Sequence, residues 1–198
     1  MTEMELREEI RRYEPFNEQE REDKEEILRQ MEQADHILTR DNRNAHITVS
    51  AWIMDKDRKK VLMAYHNLYQ SWAWLGGHAD GDADLKAVAL KEIREESGLE
   101  SVRFVTEDIF SLEILTVDGH EKRGSYVPSH LHLNVTYLLE ADPELPLRIK
   151  EDENSEIGWI GVEEIERRST EKWFVERIYS KLCKKAQSLR NGKLAILE

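Results

Sequence analysis

Apolar positions are thin over the first 40 residues, where Glu, Arg, Lys and Gln dominate. Asn17 followed three residues later by Glu20 is a capping-box pattern, and Ile27, Met31 and Leu38 then give a narrow apolar stripe. This predicts a helix from about Glu18 to Ala34, entered through Pro15. Its stripe suits either the body of the protein or a second copy of the chain in a homodimer. From His46 the texture changes. The β-branched and aromatic runs "HITVSAWIM" and "VLMAYH", separated by the turn-like "DKDRKK", predict a hairpin. "FSLEILTV", "SHLHLNVTYLLE" and "EIGWI" predict further strands, the longest with clean alternation. "VEEIERRS" and "EKWFVERIYSKLCKKAQSLRNG" predict closing helices, with Gly192 ending the last. Strands and helices mix without a regular βαβ alternation, so the expectation is an α+β fold with a mixed sheet.

One helix falls between strands. Asp84 is its N-cap, Leu85 to Ser97 its body, and Gly98 the left-handed residue past its end. At about 100° per residue, Leu85, Val88 and Ala89 share an arc with Glu92, Glu95 and Glu96. The core-facing stripe therefore turns acidic halfway along, at the helix end whose dipole is already negative. Like charges face one another at a cost of about 0.2 to 0.5 kcal/mol per pair. A solvated acidic face is one reading. The other is that the carboxylates converge on a hard divalent cation, with the "WLGGHADGDAD" loop folding back to supply backbone groups.

Charge and cysteine content narrow the chemistry. The net charge of -12 over 198 residues works against non-specific contact with nucleic acid or anionic lipid, and an acidic protein that handles phosphates needs a metal ion. Cys183 is the only cysteine, which excludes an internal disulfide and a cysteine-rich zinc module. "MTEMELREEI" has neither the basic nor the apolar region of a leader, and no apolar stretch is long enough to span a membrane. A cytoplasmic location is expected.

From Gly77 to Leu99 the chain resembles the signature of the Nudix hydrolases. Gly77, Glu92, Ile93, Glu95, Glu96, Gly98 and Leu99 stand at the required spacings, while Ala83 occupies the place of the first Glu and Lys91 that of the Arg. The resemblance implies a Nudix domain over about residues 45–165, with a mixed sheet sandwiched between helices. Residues 1–44 would form an N-terminal helical extension and 166–198 a C-terminal helix packed on the domain. It implies hydrolysis of a diphosphate bond in a nucleoside diphosphate linked to another moiety, with Mg²⁺ or Mn²⁺. By family position, Glu92, Glu95, Glu96 and a backbone carbonyl of Gly76 or Gly77 would hold the metal, Glu95 and Glu96 as principal ligands and Glu92 as a ligand or as an orienter of water. Such ions neutralise phosphate charge and activate water for in-line attack. Lys91 keeps the charge of Arg without its planar fork. Asp82 or Asp84 could replace the carboxylate absent at Ala83 only if the loop is shifted by one residue.

Outside the helix, Glu153 and Glu156 are candidates for a general base before a late strand, as the family often uses. Alternation puts His130, His132, Asn134 and Thr136 on one face of the long strand, a polar stripe suited to substrate contact or to solvent. With His120, the pair His130 and His132 makes an incomplete zinc set, lacking a close acidic or Cys partner. Trp72 and Trp74 suit stacking on a nucleobase or packing in the core or a cleft wall, with Trp74 the candidate for substrate contact, and His78 beside the glycines suits phosphate. "DGDADL" fails as a calcium loop because Leu85 sits at the obligatory Gly position. Walker A, Rossmann and nucleophile-elbow patterns are missing from the sequence. Two other functions stay open: a non-catalytic ligand-binding module, which the changes at 83 and 91 would suit, and an isopentenyl diphosphate isomerase. The latter needs an active-site cysteine, and Cys183 lies far from the corresponding region.

Overall fold

Thr2 accepts a hydrogen bond from the Glu5 N–H, and the Glu5 side chain returns to the Thr2 backbone, so a complete capping box opens α1 (Glu3–Arg12). The sparse apolar pattern predicts no helix here, yet Leu6 and Ile10, one turn apart, are fully buried. Helix α2 (Glu18–Gln33) starts where Asn17 predicts it, with Asn17 Oδ1 accepting from the Glu20 N–H at 2.9 Å. Glu20 does not close the box on Asn17. Its carboxylate takes the Phe16 N–H at 2.7 Å and turns into the interior. Ile27 and Met31 join Leu6 and Ile10 in the main core, so the stripe that suited a homodimer is covered within the chain.

The computed structural model describes residues 1–122 and 124–190, and the expected stop at Gly192 lies outside them. Strands β1 (Ala45–Met54) and β2 (Lys60–His66) form the predicted hairpin, and the Asp55 carboxylate accepts from the Lys59 and Lys60 N–H groups at 2.7 and 2.9 Å. Short β3 (Ser71–Ala73) and β4 (Leu75–His78) pair with β2 and β1, and α3 (Leu85–Ser97) follows. After β5 (Arg103–Phe104) and β6 (Ser111–Val117), a small separate hairpin of β7 (His120–Lys122) and β8 (Ser125–Val127) leads into β9 (His130–Glu140) and β10 (Asn154–Gly161). The described residues continue through α4 (Ile165–Arg168), α5 (Lys172–Phe174), one π-helical turn at Val175–Tyr179, and α6 (Ser180–Arg190).

The centre of the sheet is a parallel pair, β1 with β9, in register from Ala45 opposite Leu131 to Met54 opposite Glu140. A parallel pair is covered on both faces, and every residue of β1 is buried. One face carries Ile47, Val49, Ala51 and Ile53 beside Leu133, Val135, Tyr137 and Leu139, all packed with α1, α2 and α3. The other face runs from His46, Thr48 and Ser50 to Trp52 and Met54, and on β9 from His130 and His132 through Asn134 and Thr136 to Leu138. Its apolar end forms a second core with Ile178, Tyr179, Leu182 and Ala186. The fold is the expected mixed sheet between helices. Among the described residues, no helix is long and apolar enough to cross a membrane.

Candidate active site

Helix α3 has the predicted ends: Asp84 Oδ1 accepts from the Ala87 N–H at 3.2 Å, and Gly98 adopts φ 71°. Burying Leu85, Val88, Ala89 and Ile93 carries the acidic part of the same arc inward. Glu96 is 7% exposed, and the side chains of Glu92 and Glu95 are 14% and 43% exposed. The Gly76 N–H donates to Glu96 Oε2 at 3.3 Å. Burial and then the neighbouring Glu92 charge push the Glu96 carboxyl up to about 8, and the Gly76 N–H opposes them only in part. Burial raises Glu92 as well. Lys91, 3.8 Å from Glu92 and 3.7 Å from Glu95, and Lys150, 3.8 Å from Glu95, stand at the outer edge of ion-pair distance.

The glycines of β4 let the backbone press against these groups. A Cβ on Gly76 would meet the Val49 carbonyl oxygen at 2.3 Å, and one on Gly77 would meet Glu92 Cδ at 2.5 Å. Ala83 is buried in the core, where an additional carboxylate would be costly. Neither neighbouring aspartate replaces it: Asp82 accepts from the Asp84 N–H at 2.8 Å, and Asp84 caps the helix. The shifted-loop reading is therefore corrected.

A cavity of about 1170 Å³ opens beside the acidic turn. Gly76, Gly77, Glu92, Glu95, Glu96, Lys150, Glu153, Trp74, His78, His130, His132 and Asn134 all line it. Lys150 bridges Glu153, at 3.0 Å, to Glu95, which brings Glu153 to the acidic turn. Glu156 is exposed on β10, across from Tyr65 and beyond a register shift, and is not brought to the cavity wall with Glu153. Trp74 packs edge-on against Trp52, Phe174 and Tyr179, forming a cleft wall, while Trp72 is buried.

The polar face of β9 divides. Asn134 accepts from Thr48 and Ser50 at 3.0 and 2.9 Å, and donates to Glu113 and Thr136 at 3.0 and 3.1 Å. Its hydrogen-bonding capacity is taken up inside the protein. Thr136 likewise donates to Glu113 at 2.8 Å, so this half of the stripe is a buried network and not a solvated face. His130 and His132 remain at the cavity. There they meet His46 and His78, which the β1–β9 and β1–β4 pairings bring alongside. His120 is farther, its ring 6.2 Å from that of His130. His46 escaped sequence reasoning because only the parallel register, which places it opposite His132, reveals its partners.

The donor set of the acidic turn fits a hard divalent ion. It offers three carboxylates and the Gly-Gly backbone, and it buries Glu96 with one weak N–H partner in place of a cation.

A family model described as NUDIX domain matches residues 44–182. In fold the chain is similar to a C. elegans Ap4A hydrolase solved as a binary complex, with 18% identity, a TM-score of 0.51, and coverage of 74% of this chain and 98% of that one. It is also similar to a NUDIX-family hydrolase from Clostridium perfringens, at 19% identity and a TM-score of 0.50 over 74% of this chain and 99% of that one. The E. coli dihydroneopterin triphosphate pyrophosphohydrolase shares 13% identity at a TM-score of 0.50, over 68% of this chain and 95% of that one. No curated protein sequence matches the chain.

Proposed function

The chain belongs to the Nudix family, and on that premise we propose that it is a hydrolase cleaving a diphosphate bond in a nucleoside diphosphate linked to a second moiety, with Mg²⁺ or Mn²⁺ as cofactor. The observation that carries this reading is the convergence of Glu92, Glu95 and Glu96 with the Gly76–Gly77 backbone on one wall of a nucleotide-sized cavity. Glu95 and Glu96 are the principal metal ligands, joined by Glu92 and a carbonyl of the Gly-Gly pair. The ion supplies charge neutralisation at the phosphates and a more acidic water.

The remaining chemistry belongs to the chain. Glu153, held by Lys150, is the general base. Lys150 also keeps a positive charge beside the carboxylates, where the substrate's phosphates bring negative charge. Trp74 walls the cleft with an aromatic surface on which a base can rest. The isomerase alternative loses support because Cys183, in α6, has its thiol pushed up to about 12 by burial.

Chromatographic separation of the nucleotide and sugar-phosphate products tests the reading on ADP-ribose, nucleoside triphosphates, dihydroneopterin triphosphate and dinucleoside polyphosphates, with and without Mg²⁺ or Mn²⁺. Metal-dependent turnover that disappears in a Glu95→Gln, Glu96→Gln variant is expected. Thermal stabilisation by these compounds without any turnover would replace the hydrolase with a ligand-binding module.

A further inference from the structure

The cavity has a second, chemically different end. His46, at the start of β1, and His130 and His132, at the start of β9, offer ring nitrogens that all lie within 4.8 Å of one another. This closeness is built into the sheet. His46 and His132 are direct neighbours across the parallel pair, and His130 and His132 alternate onto the same face. The His78 ring, 5.2 Å from that of His46 and 4.9 Å from that of His132, walls a further side.

The outer hydrogen bonds decide which nitrogens are available. His46 Nδ1 faces the Asn42 carbonyl at 3.0 Å and His130 Nδ1 faces the Pro128 carbonyl at 2.9 Å. A carbonyl only accepts, so both Nδ1 atoms carry the proton and both Nε2 atoms present a lone pair. A backbone carbonyl on one ring nitrogen is the support that a metal-bound histidine ordinarily has. His46 Nε2 is buried without a hydrogen-bond partner. His130 Nε2 accepts from the His132 Nε2–H at 3.2 Å, and an ion bound between them would shift that proton to His132 Nδ1. Two imidazoles bound to one tetrahedral ion at a metal–nitrogen distance of about 2.05 Å have nitrogens about 3.3 Å apart. The pair therefore already spans the edge of such a polyhedron. Burial also keeps His132 and His46 in the neutral form that a metal requires.

We propose that His46, His130 and His132 bind one divalent transition-metal ion of the zinc type, at a site separate from the acidic turn and on the same cavity. An all-imidazole donor set suits Zn²⁺, Co²⁺ or Ni²⁺ and not Mg²⁺, whose ligands are oxygens. Three protein ligands leave a coordination position for water or for an oxygen of whatever occupies the cavity. The ion also ties the first residues of β1 to those of β9.

The test is a Co²⁺ titration of the full-length, metal-stripped protein in excess Mg²⁺, followed by visible absorption and by displacement with Zn²⁺. Wild type and the Glu95→Gln, Glu96→Gln variant are expected to bind about one equivalent with the d–d band of a tetrahedral nitrogen site. His46→Gln and His130→Gln should each weaken binding by more than about 100-fold, beyond the loss of an outer hydrogen bond, with melting temperature in Mg²⁺ alone unchanged. Imidazole nitrogen NMR reports on wild type alone, whatever the variants do, and should show Zn²⁺-dependent shifts at the Nε2 atoms of these rings. Co²⁺ binding that is abolished by the glutamate changes, or wild-type NMR shifts missing from these three rings, would overturn the proposal.

Discussion

At Glu20 and Glu113 each carboxylate is fully buried and surrounded by donors, whereas Glu96 is buried and Glu92 half-buried one turn away, with lysines only at the margin. Glu20 meets Lys185 at 2.9 Å, Lys181 at 3.1 Å and Ser111 at 2.7 Å, together with the Tyr13 hydroxyl. Glu113 meets Lys181 at 2.9 Å, Asn134 at 3.0 Å and Thr136 at 2.8 Å. Burial alone would raise Glu20, but the Lys181 and Lys185 charges outweigh it and hold the carboxyl at about 2. Lys181, between two carboxylates, is held above the usual lysine value, while burial wins at Lys185 and lowers it. The same kind of side chain is thus driven in opposite directions at the two places. Where the protein supplies the counter-charges, the carboxylates join helices to the sheet. Where it withholds them, the deficit is what a metal ion would fill.

The largest expected effect comes from removing charge at the deficient place. A Glu95→Gln, Glu96→Gln change should lower turnover about 10⁴-fold, several kcal/mol of transition-state stabilisation, with no fall in melting temperature, because a neutral amide at position 96 is no costlier to bury than the carboxyl it replaces and the Glu95 pairs are half-exposed. A melting temperature that collapses along with turnover would make the acidic turn structural and erase the contrast. Next comes Lys181→Met, which strands Glu113 and leaves Glu20 with Lys185 as its cation, and should cost about 3 to 5 kcal/mol in urea unfolding, with turnover per folded molecule unchanged. A cost below about 1 kcal/mol would mean that solvent reaches the network.

The pH dependence sharpens the same point. Glu20 ionises at about 2 when folded against a reference of 4.5, so the unfolded chain binds more protons between those values. Its contribution, up to about 3 kcal/mol, is complete above the reference value and is lost as pH falls toward the folded one. Denaturation curves across this window should show the loss, and Glu20→Gln should flatten it; an unchanged slope would assign acid sensitivity to other groups. The smallest effect belongs to Lys91→Ala. Its side chain is 65% exposed, so stability should change by less than about 1 kcal/mol, measured by thermal melting.

Much of this was legible locally. Asp84, the apolar arc and Gly98 define α3 to the residue because caps and helical period are short-range signals. Glu92, Glu95 and Glu96 follow from that geometry. The Thr2 and Glu5 signal for α1 was equally local, but its few apolar positions masked it. What could not be read depends on pairing between distant segments. Glu20 sits in a helix so charged that it resembles a solvated surface, and its burial depends on Lys181 and Lys185, which come from far along the sequence. Asn134 belongs to a network and His46 to a cluster because of a strand register that no local pattern encodes.

That register also governs when the molecule can assemble. Thr48 and Asn134, joined across the central pair, are 86 residues apart in the chain, and Glu20 and Lys185 are 165 apart. Contacts of such long range are slow to find, since an extended loop must close before any is made. During synthesis, α1 and α2 therefore have to wait, with Glu20 lacking its two lysines, until α6 has left the ribosome. Refolding should accordingly be slow for a chain of this size, and a nascent chain halted short of α6 should remain open to protease.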